Sequence, residues 1–122
     1  RRQRQMCIRD RCRYYLAADL FLFPSRYDNA PLVVREAAAL HTPSLMLEGS
    51  TASAVIRNGE NGFLTTENTE EYAGRIRSIL QDPDLLARVA QGASDSLARS
   101  WEDIAGEVAD RYRNLMNRFS RK

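Results

Sequence analysis

Residues 18–50, ADLFLFPSRYDNAPLVVREAAALHTPSLMLEGS, leave few folds open. They begin with an apolar run, Leu20-Phe21-Leu22-Phe23, short enough for a buried strand and stopped by Pro24-Ser25. A polar loop follows, Arg26-Tyr27-Asp28-Asn29-Ala30. Pro31 then suits a first helical residue, because a proline there loses no bond the helix could have made. Val33, Val34, Ala37, Ala38 and Leu40 give that helix an apolar face, and Thr42-Pro43 ends it. Ser44-Leu45-Met46-Leu47 reads as a second strand and Glu48-Gly49-Ser50 as the loop after it. A strand–loop–helix–strand unit of this kind predicts two parallel strands joined by a right-handed crossover.

The acids give the unit chemistry. Open parallel sheets bind ligands beyond the carboxyl ends of their strands, and Asp28 falls in such a loop. Glu36 lies eight residues later, inside the helix. Between them, the helix start at residues 31–33 offers backbone N–H groups to an anion such as a phosphate. A phosphate site flanked by two hydroxyl-binding carboxylates suits a nucleotide sugar, although periodicity alone does not establish that ligand.

The pattern PS-x-Y-D-x-x-P-L-V-x-x-E-A-x-A over residues 24–39, followed by T-P-S at 42–44 and N-G-x-N-G-F-L at 58–64, resembles the donor-binding half of a family 4 (group 1) glycosyltransferase of the GT-B fold. The likeness runs from about Ala17 to the C-terminus. Asp28 and Glu36 keep the spacing of that family's paired acids. The resemblance implies that Glu36 holds the ribose hydroxyls and Asp28 the hydroxyls of the donor sugar, the two acids on which catalysis depends. It also places the amides of Ala30, Leu32 and Val33 against the diphosphate, with Asn29 beside them and the loop at residues 49–52 close by. The implied reaction moves a sugar from a nucleoside diphosphate, with retention and without a cofactor or metal. The acceptor would be a glycan, lipid or surface polysaccharide, bound through an N-terminal domain that is absent here.

Three positions depart from the family pattern. Asp28 replaces the usual glutamate and reaches less far. His41 stands where a glycine usually follows the helix. Ala54 stands where a Gly-Gly-x-Pro-Glu motif would end in Glu. These departures keep open a second reading, a non-catalytic nucleotide-binding or interaction module with a transferase-like fold. A third, an unrelated parallel α/β domain, rests on pattern alone.

The 122 residues suffice for one domain and not for a two-domain transferase, so the expectation is a C-terminal fragment of a longer enzyme. The formal charge of +2 is unevenly placed. Residues 1–13 hold six arginines against one aspartate, a net +5, which leaves −3 on the rest. That balance gives the domain no basic face for nucleic acid. Residues 1–12 read as a disordered or non-native leader, resembling translated adapter sequence, with the domain at 13–122. Cys7 and Cys12 are the only cysteines. Together with a single histidine they make no zinc site, and a reducing cytoplasmic setting is compatible with them. No apolar stretch approaches the roughly 20 residues that span a bilayer, so any membrane association of the parent is expected to be peripheral, at the inner face.

The remaining chain reads mostly as helix. Residues 13–17 end a helix, with Tyr14, Tyr15 and Ala18 expected on the sheet. Residues 51–56 form a short helix, and the Asn-Gly turns at 58–62 are expected to supply positive φ. Phe63-Leu64-Thr65 is a third, short strand. Tyr72, Ile76, Ile79 and Leu80 mark one helix. Asp82 caps the next, which buries Leu85, Leu86, Val89, Ala93 and Leu97. Asp82-Pro83-Asp84 spells a metal-type Asp-x-Asp, but its position at a helix start favours capping. Lone His41 suits a helix C-terminus, where the dipole favours it. Ser100 and Asp103 frame a capping box. The final helix carries an apolar stripe, Trp101, Ile104, Ala105, Val108, Tyr112, Leu115, Met116 and Phe119, expected to cover the sheet in preference to lying on a membrane. The fold class is therefore α/β: a partial Rossmann-like parallel sheet of about three strands, flanking helices and a helical C-terminus.

Overall fold

The apolar runs become strands in a three-layer α/β arrangement. The computed structural model describes residues 8–29 and 31–119. Strand β1 (Phe21–Phe23) and β2 (Ser44–Leu47) pair in parallel with Phe21 opposite Ser44, and β3 (Phe63–Thr65) pairs in parallel on the other side of β2 with Leu45 opposite Phe63. The order is β1-β2-β3. All four residues of the central strand are buried, which explains why Ser44-Leu45-Met46-Leu47 shows no polar alternation.

Helices fill both faces. Met46 points to one side, where Val34 and Ala38 of α2 (Leu32–Ala39) meet Ala52, Ile56, Ala93 and Leu97. Leu45 and Phe63 point to the other, against Ile79 of α3 (Thr69–Leu80) and Val89 of α4 (Pro83–Leu97). Asn68 caps α3 through the amides of Glu70 and Glu71. Asp82 caps α4 by accepting from the Leu85 N–H at 3.0 Å, with Pro83 at the first turn. The Asp-x-Asp is thus a helix start, and no group of residues able to hold a metal occurs among the described residues.

No element ends at residue 12, where the leader was expected to stop. One helix, α1 (Ile8–Ala17), runs through it. Tyr15 is buried, and one turn earlier Arg11 donates to Glu36 at 2.9 Å, so helical spacing carries the packed face back past residue 13. Cys12 is a half-buried free thiol on this helix, while residues 1–7, including Cys7, lie outside the described residues. Tyr14 and Ala18 do not reach the sheet: both are exposed, because only the Tyr15 side of the helix faces inward.

Pro31 also sits one step from its expected place. It is the N-cap of α2 and not its first residue, with φ −67° and an extended ψ of 100°. At the other end of α2, the Thr42 N–H donates to the Ala37 carbonyl at 2.9 Å and the His41 N–H to the Ala38 carbonyl at 3.0 Å. These are the paired bonds of a Schellman motif, and they place His41 in the left-handed region at φ 58°. The backbone, not the imidazole, satisfies the last carbonyls. A left-handed L-residue costs roughly 1–2 kcal/mol, partly offset because glycine loses more chain entropy on folding. His41→Gly should therefore raise stability by about 0.5–1 kcal/mol in urea unfolding; a loss would mean that the exposed imidazole holds something the backbone account omits.

The last helix overturns its expectation. In α5 (Trp101–Phe119) no residue is buried, with Trp101 77% and Phe119 75% exposed. The capping box forms as read, with Ser100 Oγ accepting from the Asp103 N–H at 3.1 Å. The sheet faces, however, are already occupied by α2 and α4 on one side and by α3 and α4 on the other. Leu80, at the end of α3, is half exposed. Trp101→Ala should then change the stability of this chain by no more than about 0.5 kcal/mol, the range of surface substitutions, as read by thermal unfolding. No described helix is long and apolar enough to cross a membrane.

Candidate functional site

The carboxyl ends of the three strands carry the loops that matter. The loop leaving β1 is tied down on two sides. Thr51 opens a short 3-10 turn, η1 (Thr51–Val55), and its N–H donates to the Arg26 carbonyl at 3.3 Å. Its hydroxyl accepts from the Asp28 N–H at 3.0 Å and donates to the Asp28 carbonyl at 3.3 Å. Arg26 also pairs with Glu67 in the loop after β3. Beneath this bridge lies a cavity of about 220 Å³ bordered by Arg26, Tyr27, Leu47, Gly49, Ser50 and Glu67.

Helix α2 starts between the two acids. Its first internal bond runs from the Val34 N–H to the Pro31 carbonyl at 3.1 Å, and Pro31 makes no side-chain cap. The Leu32 and Val33 amides precede that bond, in the first turn, where N–H groups have no partner within the helix. Glu36 follows one turn after Leu32. One carboxylate oxygen accepts from Arg11; the other, Oε2, is buried with no partner among the described residues. Glu36 borders a groove of about 660 Å³ with Leu32, Arg35, Arg99 and Trp101. Burial, and next the charge of Glu36, pushes the Tyr15 phenol above its usual pKa.

Asp28 and Glu36 thus flank the helix start as their spacing suggested, with Asp28 half-buried, Asn29 exposed and Leu32 exposed beside them. Ala30 lies outside the described residues. Ala54 is exposed on η1. Sequence reasoning placed the loop at residues 49–52 nearby but missed the contact Thr51 makes from it, and also missed Arg26 with Glu67, and Arg11. Only Thr51 left a signal: a hydroxyl directly after the β2 turn, at the carboxyl edge of the sheet.

The profile of the family Glycosyl transferases group 1 matches residues 9–96. The chain belongs to that family. It is 32% identical over 123 aligned residues to a D-inositol 3-phosphate glycosyltransferase of Streptomyces bingchenggensis, covering 98% of this chain and 27% of that protein. It is 35% identical over 101 residues to one from Rhodococcus erythropolis, covering 81% and 23%. This group 1 chain therefore spans about a quarter of the length of these curated relatives. Among solved structures, sucrose-phosphate synthase from Thermosynechococcus elongatus superposes with a TM-score of 0.72 at 28% identity, covering 85% of this chain and 27% of that one. Anabaena Alr3699/HepE in complex with UDP-glucose gives 0.72 at 23% identity, covering 86% and 30%, a likeness of fold.

Proposed function

We propose that this chain is the donor-binding part of a glycosyltransferase that moves a sugar from a nucleoside diphosphate to an acceptor hydroxyl, with retention at the transferred carbon. The supporting observation is the α2 start with an acid on each side, one of them carrying an oxygen with no partner among the described residues. A buried carboxylate oxygen calls for a hydrogen-bond donor, and the vicinal hydroxyls of a ribose supply two. The terminal torsion of a glutamate is broad, so a small turn presents both Glu36 oxygens to the groove. The Leu32 and Val33 amides meet the charge that grows on the leaving diphosphate. Asp28, in the loop beyond β1, takes the hydroxyls of the sugar. The names of the relatives, all glycosyltransferases, and the UDP-glucose held by a protein of the same fold point the same way. The acceptor, a glycan, lipid or surface polysaccharide, is bound by a second domain of the parent.

The test is an NMR titration of the chain with UDP and with UDP-glucose at millimolar concentration. Loss of charge-assisted bonds costs roughly 1.5–3 kcal/mol, about 10- to 150-fold in affinity. Glu36→Gln should weaken both ligands by that factor. Asp28→Asn should weaken UDP-glucose and leave UDP nearly unchanged. Absence of binding by the unmodified chain, or indifference to Glu36→Gln, would sink the donor-site reading and favour a non-catalytic module.

A further inference from the structure

The hydroxyl of Thr51 does not serve its own turn. That cap comes from Ser50, whose Oγ accepts from the Ser53 N–H at 3.2 Å. Thr51 Oγ1 instead crosses 23 residues of sequence to hold both the N–H and the carbonyl of Asp28, at 3.0 and 3.3 Å. The Thr51 amide holds the Arg26 carbonyl two residues earlier. The backbone of a single residue is thereby gripped on both sides of its Cα. Fixing those two groups fixes the direction of the Cα–Cβ bond.

That matters more for an aspartate than for a glutamate. An aspartate carboxylate hangs on two side-chain torsions and a glutamate's on three, so the shorter chain cannot correct a misplaced backbone. We propose that Thr51 is a specificity-determining positioning residue, whose hydroxyl clamps the Asp28 backbone so that the carboxylate is held for the sugar of the donor. The inference rests on the reading of Asp28 as the sugar-recognising acid. Thr51 acts through Asp28 and not on the ligand, so its loss should be felt by the sugar and not by the nucleotide. Its bonds are solvent-exposed, so a variant is expected to fold.

Thr51→Val keeps the branched shape without the hydroxyl, and Thr51→Ser keeps the hydroxyl without the methyl. Hydrogen exchange on the unliganded chain reads the clamp directly. In Thr51→Val the Asp28 amide should exchange roughly 5- to 10-fold faster, as expected for one lost neutral hydrogen bond, while amides of the buried β2 strand are unchanged. Thr51→Ser should exchange like the unmodified chain. Titration with UDP and UDP-glucose reads the consequence: the preference for UDP-glucose should fall in Thr51→Val by about 3- to 10-fold, toward that of Asp28→Asn, with UDP affinity unchanged and Thr51→Ser retaining the preference. Unchanged Asp28 exchange in Thr51→Val overturns the clamp. Equal weakening of both ligands, or failure of Thr51→Ser to keep the preference, overturns its link to the sugar. A chain that never prefers UDP-glucose overturns that link together with the assigned role of Asp28, and the exchange data still decide the clamp by themselves.

Discussion

Gly92→Ala is expected to cost this chain about 2 kcal/mol, although alanine is the better helix former. A Cβ built on Gly92 would lie 2.1 Å from the Glu60 carbonyl oxygen and 3.1 Å from its carbon. Neither backbone can yield cheaply. Helix α4 is fixed by buried Val89 and Ala93 on either side of Gly92. The turn at residues 57–61 is closed by amides of Glu60 and Asn61 on the Arg57 carbonyl, at 3.0 and 3.2 Å. Overpacking of this sort costs typically 1–3 kcal/mol and occasionally more. The helix-propensity gain of roughly 0.8–1 kcal/mol does not offset it. At roughly 3–5 °C per kcal/mol, between the values for smaller and larger domains, the melting midpoint should drop by about 6–10 °C. Gly74 and Gly106 provide the internal control, since nothing lies within 4 Å of a Cβ at either. Alanine there should stabilise by up to about 1 kcal/mol. A neutral Gly92→Ala would mean that α4 stands further from the turn than the geometry shows.

Asn61→Ala should be of comparable size. Asn61 is 3% exposed, and its amide group serves three partners. Oδ1 accepts from the Arg57 N–H at 2.7 Å, while Nδ2 donates to the Val55 carbonyl at 3.2 Å and to Ser96 Oγ at 3.0 Å. Alanine removes all three and leaves part-buried groups without partners. At roughly 0.5–1.5 kcal/mol per bond, with a further penalty for a group left dry, the loss should be about 2–4 kcal/mol. Chemical denaturation with an unchanged slope would locate it in the native state. Asn61→Asp should be at least as damaging, because it keeps the acceptor but turns a carboxylate toward the Val55 carbonyl. A loss below about 0.5 kcal/mol, no more than an ordinary surface substitution, would show that water replaces the side chain.

Local pattern carried the strand–loop–helix–strand unit, because each piece is bounded by its own punctuation: Pro24 after β1, Pro31 before α2, Thr42-Pro43 before β2. The acids could be placed for the same reason, since both stand at fixed offsets from a helix start. What failed was whatever depended on distant partners. Asn61 and Gly59 looked alike as turn residues, yet only the glycine takes a positive φ, at 79°. Asn61 is there for its side chain, whose partner Ser96 lies 35 residues on. The stripe on α5 shows that one face favours burial. Periodicity does not say whether the same chain supplies the surface, and here the sheet was already covered. The grip of Thr51 on Asp28 joins two loops with no shared sequence signature. Gly92 did leave a trace, since an isolated glycine in a helical pattern is tolerated at a cost and usually has a packing reason.

Helix α4 has a consequence for how such a chain is made. It supplies Val89 to one face of the sheet and Ala93 and Leu97 to the other. The third strand ends at Thr65, and 32 residues separate it from Leu97. At about 5–20 residues per second of synthesis, the strands wait roughly two to six seconds for the helix that completes both faces. For that interval Met46 and Phe63, both wholly buried in the finished fold, lack part of their cover. The nascent chain is most exposed to mispairing and chaperone capture in that window, which closes only when α4 has emerged.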